Sequence, residues 1–522
     1  MAVAKYKYRN FYEMVQSNAE NLKNKPALFE EDLKISHKEL KEKVDSLARY
    51  FELIGVKKGS HVAILLGNSK EFIYSFLAIG KLGAVPIPIN TFLKHDEIQY
   101  ILDDSDATVL ITETKFQKEL KDVFDKTKIQ KILWTDDYKN FDERNLPFQE
   151  GLTIKDYEHI VPQGHLDDTS VILYTSGTTG KPKGVMLSYR SIFSNIENIT
   201  ALGKLTYKDR FIVYLPMFHT FTLTATVLLP LYLGSPLVII KSILPFSNIF
   251  KQTLLKRVTI FMGVPEVFNA LSKAKLPWYF MMFHKMRFFV SGGAPLSKDT
   301  LKKMREKFTR TTLLEGYGLS ECSPVVALNL PTKQKDLSVG PPLPDYQVKI
   351  VNDELVEVPQ GEIGEIIVKG DCVMKGYYKN PHATEETIIN GWLLTGDLGY
   401  VDEDGFIFIV DRKKDLIISK GINIYPREIE ELLNLHPKIE QSAVVGKKDD
   451  NYGEVPVAFI KLVEDVNKEE FNEKEIKNYL KEKLANYKIP KTIYVLDELP
   501  KNATGKVLKR VLKEKVNNGE FG

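Results

Sequence analysis

The sequence predicts an α/β fold: a large N-terminal body of stacked α/β subdomains with a β-barrel-like subdomain, and a small α+β C-terminal domain. Three observations lead to this class. Apolar strands alternate with helical patterns from about residue 60 to 315. Shorter strands with Gly/Asp turns follow residue 340, and a charged run at residues 411–415 precedes a compact tail. We therefore expect a large domain over residues 1–411 and a small domain over residues 412–522.

The strands of the large body are continuously apolar rather than alternating. They read HVAILLGN (61–68), AVPIPIN (84–90), TVLIT (108–112), KILWTD (131–136), SVILYTSG (170–177), FIVYLP (211–216), PLVII (236–240), FMGV (261–264) and RFFVSGG (287–293). Apolar strands separated by helices are typical of parallel sheets covered on both faces. We expect parallel sheets throughout this body.

The region after residue 340 has a different pattern, with shorter predicted strands and Gly/Asp turns. The segments VKIVNDE and GEIIVKG are short strands, and LGYVDEDGFIFIVDR predicts a hairpin with Asp404 and Gly405 in a tight turn. This pattern favours an antiparallel or barrel-like subdomain. In the tail, the strands QSAVVG, VPVAFIKLV and TIYVL and a helix from about Asn472 to Leu484 predict a small α+β domain.

Composition describes an ordinary globular protein. Of its 522 residues, 43% are hydrophobic and 27% are charged, which excludes disordered, collagenous and coiled-coil chains. A net charge of +3 gives no overall field for nucleic acid. Cys322 and Cys372 are the two cysteines, too few for a disulfide scaffold, and the first ten residues lack a secretory apolar core. We expect a cytoplasmic protein.

One uncharged run, Phe211–Ile240, is long enough to cross a bilayer. Pro216, Pro230 and Pro236 interrupt it, together with Gly234. The run therefore predicts a buried strand, a short helix and a second strand.

A segment rich in glycine and hydroxyl groups follows the strand SVILY. Glycines let the backbone approach an anion, and hydroxyls and lysines supply donors and charge for a polyphosphate. The residue spacing excludes a Walker loop, because two residues separate the glycines and Pro182 follows the lysine. The residues predicted to bind the phosphates of a nucleoside triphosphate are Thr175, Ser176, Gly177, Thr178, Thr179, Gly180 and Lys181.

This loop, TSGTTGKPKG, resembles the phosphate loop of the adenylate-forming enzymes, which include acyl-CoA synthetases, luciferases and nonribosomal peptide adenylation domains. The family's further motifs occur here in order: LPMFHTF (215–221), SGGAP (291–295), EGYGLSE (315–321), GWLLTGDLG (391–399), DRKKDLIISKG (411–421) and PKNATGK (500–506). The resemblance spans about residues 10 to 515. It implies ATP-dependent activation of a carboxylic acid by a large body and a mobile lid domain.

The resemblance also implies a nucleotide and metal site. Glu321 holds Mg²⁺ together with the hydroxyl of Thr175, and Mg²⁺ favours such oxygen ligands. Adenine stacks on Tyr317, and Ser320, where the family more often has Thr, lies near the α-phosphate. The remaining implied nucleotide residues are Gly293, Ala294, Pro295, Glu315, Gly316 and Gly318.

In the C-terminal part, Asp397 and Arg412 resemble the ribose contacts. Lys506 resembles the cation that bridges the carboxylate and the α-phosphate, and Lys414 the hinge about which the lid swings. That swing brings the strand at Gly421 to a channel for the pantetheine arm of CoA.

Two positions keep alternatives open. His219 matches a position beside the acyl carboxylate, but a lone His in an apolar segment is as often a core residue. Ile418 occupies a place where some relatives carry a lysine that contacts the adenylate, and neighbouring Lys420 is the candidate replacement.

The acid is indicated by Gly318, where the acetate and propionate branch has a pocket-flooring tryptophan. A glycine implies a longer chain, and residues 390–415 resemble medium- and long-chain fatty acid ligases of bacteria. The leading prediction is conversion of a fatty acid, ATP and CoA to acyl-CoA, AMP and pyrophosphate, with Mg²⁺. An acyl-AMP ligase or acyl-carrier-protein synthetase, an aryl or hydroxycinnamate ligase, and a non-catalytic sensor remain alternatives. Monomer or homodimer, and peripheral association with the inner membrane face, stay open.

Overall fold

The computed structural model of the protein describes residues 6–175, 181–468, 471–501 and 505–521. They form two compact units. The first comprises the chain up to Gln334, Gly340–Gln347 and Val368–Leu393, and the second comprises Lys335–Val339, Val348–Ile367 and the chain from Leu394. The domain boundary expected between residues 411 and 412 stays a prediction.

The helices follow the predicted alternation with strands. Those of the first unit are α1 (Phe11–Leu22), α2 (His37–Leu53), α3 (Lys70–Lys81), α4 (His95–Asp104), α5 (Val123–Lys126), α6 (Phe148–Gly151), α7 (Tyr189–Gly203), α8 (Thr220–Thr222), α9 (Leu229–Leu233), α10 (Ser247–Leu255), α11 (Pro265–Lys273), α12 (Trp278–Phe283), α13 (Lys298–Lys307) and α14 (Pro381–Thr387). Those of the second unit are α15 (Pro426–Asn434), α16 (Glu473–Lys481) and α17 (Lys509–Asn517). Among the described residues, every helix is too short or too polar to cross a bilayer.

Strands before residue 330 are β1 (Pro26–Glu30), β2 (Leu33–Ser36), β3 (His61–Leu65), β4 (Val85–Pro88), β5 (Val109–Thr112), β6 (Lys131–Trp134), β7 (Asn145–Pro147), β8 (Thr169–Thr175), β9 (Lys183–Ser188), β10 (Phe211–Val213), β11 (Leu237–Ile239), β12 (Ile260–Gly263), β13 (Phe288–Ser291), β14 (Thr312–Gly318) and β15 (Val325–Leu328). The later strands are β16 (Gln347–Val351), β17 (Gly364–Lys369), β18 (Gly376–Tyr377), β19 (Ile388–Ile389), β20 (Trp392–Val401), β21 (Ile407–Arg412), β22 (Ile417–Ser419), β23 (Ile422–Ile424), β24 (Ile439–Asp449), β25 (Gly453–Leu462) and β26 (Thr492–Val495).

Two sheets of the first unit are built mainly from parallel strands, as predicted. The larger has the order β15-β14-β13-β12-β10-β11-β1-β2, and only its edge strands β2 and β15 pair antiparallel. The other has the order β4-β3-β5-β6-β7 and is parallel throughout. Helices pack on the strands because continuously apolar strands must be covered on both faces.

The prediction of a parallel strand is wrong for β8. This strand pairs antiparallel with β9 in a three-stranded sheet, β18-β9-β8. The two strands are joined directly through residues 176–182, and a parallel pair needs a crossover of a dozen or more residues. The continuous apolar pattern of β8 therefore indicates that the strand is buried, but it does not indicate the direction of the neighbouring strand.

The uncharged run forms β10, a helical stretch over residues 220–233, and β11, as predicted. A π-helical turn over Leu223–Leu228 separates α8 from α9. Pro230 does not break the helix, because it lies in the first turn of α9, where its missing N–H leaves the helix intact.

A five-stranded sheet has the order β16-β17-β20-β19, with β21 also paired to β20. Strands β20 and β21 form the predicted hairpin, with Val401 opposite Ile407. The connection is longer than a two-residue Asp-Gly turn. The N–H of Asp402 donates to the carbonyl oxygen of Phe406, and within this loop only Gly405 has a positive φ, 82°. A two-residue type I′ turn needs a positive φ at both of its central residues.

The C-terminal part of the second unit is a five-stranded sheet, β23-β22-β25-β24, with β26 beside β25. Helices α15 and α17 pack on β24. Helix α16 begins at Glu473 with Asn472 as its N-cap, close to the predicted start. A partly buried ion pair joins Lys509 of α17 to Glu430 of α15 at 2.7 Å.

A buried charge ties the first three helices together. Asp45 of α2 is 1% exposed; it contacts Lys81 of α3 at 2.8 Å and accepts the hydroxyl of Tyr12 of α1 at 2.6 Å. Burial lowers the pKa of Lys81, and Asp45 opposes that shift. Removing the carboxylate would leave a buried ammonium without compensation.

We expect Asp45→Ala to lower the free energy of unfolding by about 3–5 kcal/mol, the usual cost of breaking a buried ion pair. Urea denaturation followed by circular dichroism measures this loss. Glu42→Ala is the control on the same helix, because Glu42 makes only an exposed pair with Lys38 at 3.8 Å and should cost less than about 1 kcal/mol. Equal losses in the two variants would contradict the importance of the buried charge.

Candidate active site

Several motifs meet at the carboxyl edge of the larger sheet. Strands β10, β12, β13 and β14 are adjacent in the sheet, and three of the predicted motifs follow or form their carboxyl ends. Glu315 lies opposite Ser291, which in turn lies opposite Gly263. In open α/β sheets this edge is where ligands bind.

Hydroxyl groups join the segment after β10 to the segment after β14. The side chain of Thr220 donates to Oγ of Ser320 at 2.7 Å. His219 caps α8, where Nδ1 accepts the N–H of Phe221 at 3.3 Å. The role of His219 beside the carboxylate stays a prediction. Thr220 was missed by sequence reasoning, although it directly follows His219 in the motif.

The ring of Phe221 lies close to the glycine-containing ends of β13 and β14. A Cβ built on Gly292 would lie 3.7 Å from both the Phe221 ring and the carbonyl oxygen of Gly316. The residues predicted to bind adenine therefore lie around this point on two adjacent strands: Gly293, Ala294 and Pro295 follow β13, and Glu315, Gly316 and Tyr317 belong to β14. Their contact with adenine stays a prediction.

Gly318 has a structural reason to be glycine. A Cβ at this position would lie 1.8 Å from the carbonyl oxygen of Pro324, which is a backbone atom. The backbone here excludes any side chain, whatever the acid. Gly318 is therefore no independent indication of acyl chain length.

Glu321 has a defined partner. The hydroxyl of Tyr377 donates to its Oε1 at 3.0 Å, and the N–H of Met374 donates to its carbonyl oxygen at 2.8 Å. Burial, and then the charge of Glu321, raise the pKa of Tyr377, so the phenol stays a donor. Tyr377 orients the carboxylate of Glu321. Sequence reasoning missed Tyr377, because it lies 56 residues from Glu321 along the chain.

Thr175 and Glu321 are connected through a short series of contacts. Thr175 pairs with Lys183 across β8 and β9, and Nζ of Lys183 lies 5.0 Å from the centroid of the Tyr377 ring. Residues Ser176, Gly177, Thr178, Thr179 and Gly180 of the predicted phosphate loop lie outside the described residues. Lys181 is exposed, with Nζ 5.2 Å from the Tyr100 centroid.

The donor set suits Mg²⁺ bound with a nucleotide. One carboxylate and one hydroxyl are few ligands, and no cluster of three His, Cys, Asp or Glu side chains occurs in the part of the chain that the structure describes. Mg²⁺ is usually held by one or two carboxylates plus substrate phosphates and water. Glu321 and Thr175 thus fit a metal that arrives with ATP.

In the second unit, Asp397 and Arg412 face each other across β20 and β21. Asp397 is buried, and Nε of Arg412 lies 3.0 Å from its Oδ1. Lys501 pairs with Val507, and Lys506 follows Gly505, whose φ is 89°. Residues 502–504 of that motif lie outside the described residues.

Lys506 lies among charges of both signs. Burial and, next, the positive charge of Arg412 lower its pKa to about 8, and Asp397 and Asp415 oppose the shift. Burial and Arg412 also lower the pKa of Lys414. An anionic ligand would stabilise the charged form of a lysine in this setting, because the ligand would offset the repulsion from Arg412.

Gly421 forms the turn between β22 and β23. Ser419 pairs with Ile422, and Lys420 and Gly421 have φ values of 50° and 78°, as a two-residue hairpin requires. Ile418 is half exposed, and Nζ of Lys420 lies 4.2 Å from the centroid of the Tyr452 ring. A role for Lys420 in place of a lysine at 418 stays a prediction.

Known protein families account for both parts of the chain. Residues 15–378 match the AMP-binding enzyme family, and residues 428–506 match the AMP-binding enzyme C-terminal domain. The chain belongs to the AMP-binding enzyme family. Most of the motifs described above lie within these two matched ranges.

Relatives of this AMP-binding enzyme act on different acids. A long-chain-fatty-acid–CoA ligase of Escherichia coli O6:H1 is 32% identical, over 97% of this chain and 95% of its own. A 2-succinylbenzoate–CoA ligase of Bacillus cereus is 35% identical, over 94% and 96%. The structure of o-succinylbenzoate CoA synthetase from Bacillus subtilis with ATP and a magnesium ion has a TM-score of 0.84 and 32% identity, over 97% and 99%. This AMP-binding enzyme is an ATP-dependent, AMP-forming CoA ligase.

We expect Glu321→Ala to reduce kcat/KM for Mg·ATP by at least about 100-fold, because the predicted magnesium site would lose its carboxylate. Tyr377→Phe should raise KM for Mg·ATP about three- to tenfold through loss of one hydrogen bond to a charged group. Initial rates of pyrophosphate release at varied Mg²⁺ measure both effects. Tyr378→Phe is the matched control, because that hydroxyl donates to Asp106 instead, at 2.7 Å. Near-normal activity of Glu321→Ala would refute the metal assignment.

Proposed function

We propose that this protein activates a medium- or long-chain fatty acid as acyl-AMP and transfers the acyl group to CoA. The observation that carries the proposal is the helical stretch over residues 220–233. It starts at the hydrogen bond between Thr220 and Ser320, and it contains no charged side chain and no side-chain amide. Its side chains are apolar or, at four threonines and Tyr232, carry only a hydroxyl. This composition favours a hydrocarbon chain, which contributes about 0.8 kcal/mol per buried CH₂.

The same stretch argues against a second carboxylate on the substrate. A buried carboxylate needs a cation or several hydrogen-bond donors. Between Phe211 and Ile240 the chain offers no Lys or Arg, so a dicarboxylic acid such as 2-succinylbenzoate finds no charged partner there. Aromatic acids are the second candidate, and the 35% identity to a 2-succinylbenzoate–CoA ligase supports them.

In the proposed first step, a carboxylate oxygen attacks the α-phosphate of ATP, and the bond to pyrophosphate breaks. Two anions must meet, so cations have to neutralise them. Lys506 bridges the carboxylate and the α-phosphate. Glu321 and Thr175 would hold Mg²⁺, which would supply positive charge next to the phosphates. Asp397 accepts the ribose hydroxyls, with Arg412 beside it.

In the proposed second step, the thiol of CoA attacks the acyl carbon, and AMP leaves. The role of Lys414 as a hinge and of Gly421 at the pantetheine channel are parts of this proposal. The intact Lys506, Glu321 and Asp397 argue against a non-catalytic sensor.

The deciding experiment measures pyrophosphate release with Mg·ATP for acetate, octanoate, palmitate, oleate, 4-coumarate and 2-succinylbenzoate, with and without CoA, and identifies the products by mass. We expect CoA-dependent thioester with octanoate, palmitate or oleate. Thioester only with the aromatic acids would favour the second candidate. Accumulation of acyl-AMP whatever the CoA concentration would overturn CoA as the acceptor and point to a carrier protein.

We expect Lys506→Ala to slow acyl-AMP formation by at least about 100-fold, with thioester formation from supplied acyl-AMP nearly unchanged. Single-turnover measurements of each half-reaction test this. Lys501→Ala, an exposed lysine in the same segment, is the control. Equal loss of both half-reactions would refute the role of Lys506.

The pH dependence provides a further test of Lys506. The side chain acts as a cation and is charged below its pKa of about 8. The kcat/KM for ATP in the first half-reaction should therefore fall as pH rises through about 8, because this parameter reports the free protein. Lys506→Arg should move that decline to higher pH, since arginine stays charged. An unchanged profile would contradict the assignment.

A further inference from the structure

Helix α12 exposes large apolar side chains to solvent. Trp278, Tyr279, Met282 and Phe283 are 72%, 47%, 58% and 57% exposed. Their spacing of i, i+1, i+4 and i+5 places them on one face of the helix. Phe280, on the other side, is 2% exposed. We call the four exposed residues the α12 face.

Contacts with Phe250 and Arg310 hold helix α12 in this orientation. The ring of Phe280 packs edge-on against Phe250 of α10, with centroids 5.5 Å apart. The guanidinium of Arg310 donates to the carbonyl oxygen of Met282 at 3.1 Å and to that of Met281. The α12 face is therefore presented outward by a packed helix.

The chain on either side of helix α12 is basic. Five Lys or Arg and no Asp or Glu occur over residues 267–298, and one of the five, Arg287, is paired with Asp209. Lys273, Lys275 and Lys285 are exposed and form no ion pair with any described residue. Arg310 adds a further positive charge at the carbonyl groups of the helix.

We propose that the α12 face docks the protein on an anionic phospholipid surface. The four apolar side chains enter the boundary between headgroups and acyl chains, and Lys273, Lys275 and Lys285 contact lipid phosphates. An apolar helix face flanked by basic residues binds membrane interfaces in this way. The inference goes beyond the proposed function and does not depend on which acid is activated.

The chemistry of the face favours a bilayer over a protein partner. The indole N–H of Trp278 and the hydroxyl of Tyr279 have no hydrogen-bond partner among the residues that the structure covers. Rings with an apolar body and one polar tip are enriched at the headgroup level of membranes.

The test is co-sedimentation of the full chain with vesicles of phosphatidylcholine alone, or with about one third phosphatidylglycerol, at low and high salt. We expect binding to the anionic vesicles that weakens with salt. The double variant Met282→Ser and Phe283→Ser should weaken it at least about tenfold. The control Leu53→Ser and Val161→Ser removes exposed apolar residues elsewhere, 58% and 69% exposed, and should bind like the wild type.

Charge and fluorescence give two further measurements. Lys273→Glu with Lys275→Glu should weaken binding at least about tenfold, whereas Lys139→Glu with Lys155→Glu, of equal charge change, should have little effect. Of the three tryptophans, Trp134 is buried, Trp392 is partly buried and Trp278 is exposed. Anionic vesicles should therefore shift tryptophan emission to shorter wavelength in the wild type and not in Trp278→Phe.

Circular dichroism must show that the variants are folded. Wild-type vesicle binding by the folded Met282→Ser and Phe283→Ser protein would overturn the proposal. So would a dimer that this variant dissociates without any change in vesicle binding, because the face would then join two copies. A chain that forms acyl-CoA but binds no vesicles overturns this inference and leaves the proposed function intact.

Discussion

The candidate nucleotide and acyl residues of the first unit depend on one constraint, the common direction of β10, β12, β13 and β14. Parallel strands end at the same edge of a sheet, so segments separated by more than 100 residues begin their loops side by side. The hydrogen bond between Thr220 and Ser320, which are 100 residues apart in sequence, is one result. The approach of the Phe221 ring to Gly292 is another. Without this topology the motifs would be unconnected stretches of chain.

Charge is the second constraint, because the proposed reaction brings a carboxylate to a polyphosphate. Each unit meets this requirement with a different arrangement of charged side chains. In the first unit, the phenol of Tyr377 fixes a single carboxylate, Glu321, in a donor set suited to a metal that arrives with ATP. In the second unit, the ion pair of Asp397 with Arg412 lies within electrostatic reach of Lys506, whose pKa is lowered to about 8. Such a lysine is stabilised in its charged form when an anionic ligand binds.

One residue and one strand show why local patterns need tertiary context. Gly318 suggested an open pocket floor, but the nearby carbonyl oxygen of Pro324 requires a glycine there for any acid. Strand β8 suggested a parallel sheet, but its direct connection to β9 makes the pair antiparallel. In both cases the sequence reported a real property, absence of a side chain or burial. Its cause was the close approach of the Pro324 backbone in the first case and the short connection to β9 in the second.

The sequence alone determined the α/β class, the order of most strands and helices, and the motifs that resemble the adenylate-forming enzymes. Those features depend on local hydrophobicity, turn residues and spacing, which are written along the chain. Only the tertiary structure decided the partners of those motifs: Tyr377 for Glu321, Thr220 for Ser320, and the charges around Lys506. It alone decided that α12 turns an apolar face to solvent. Such contacts join residues far apart in sequence, and their distances follow from packing that no local pattern encodes.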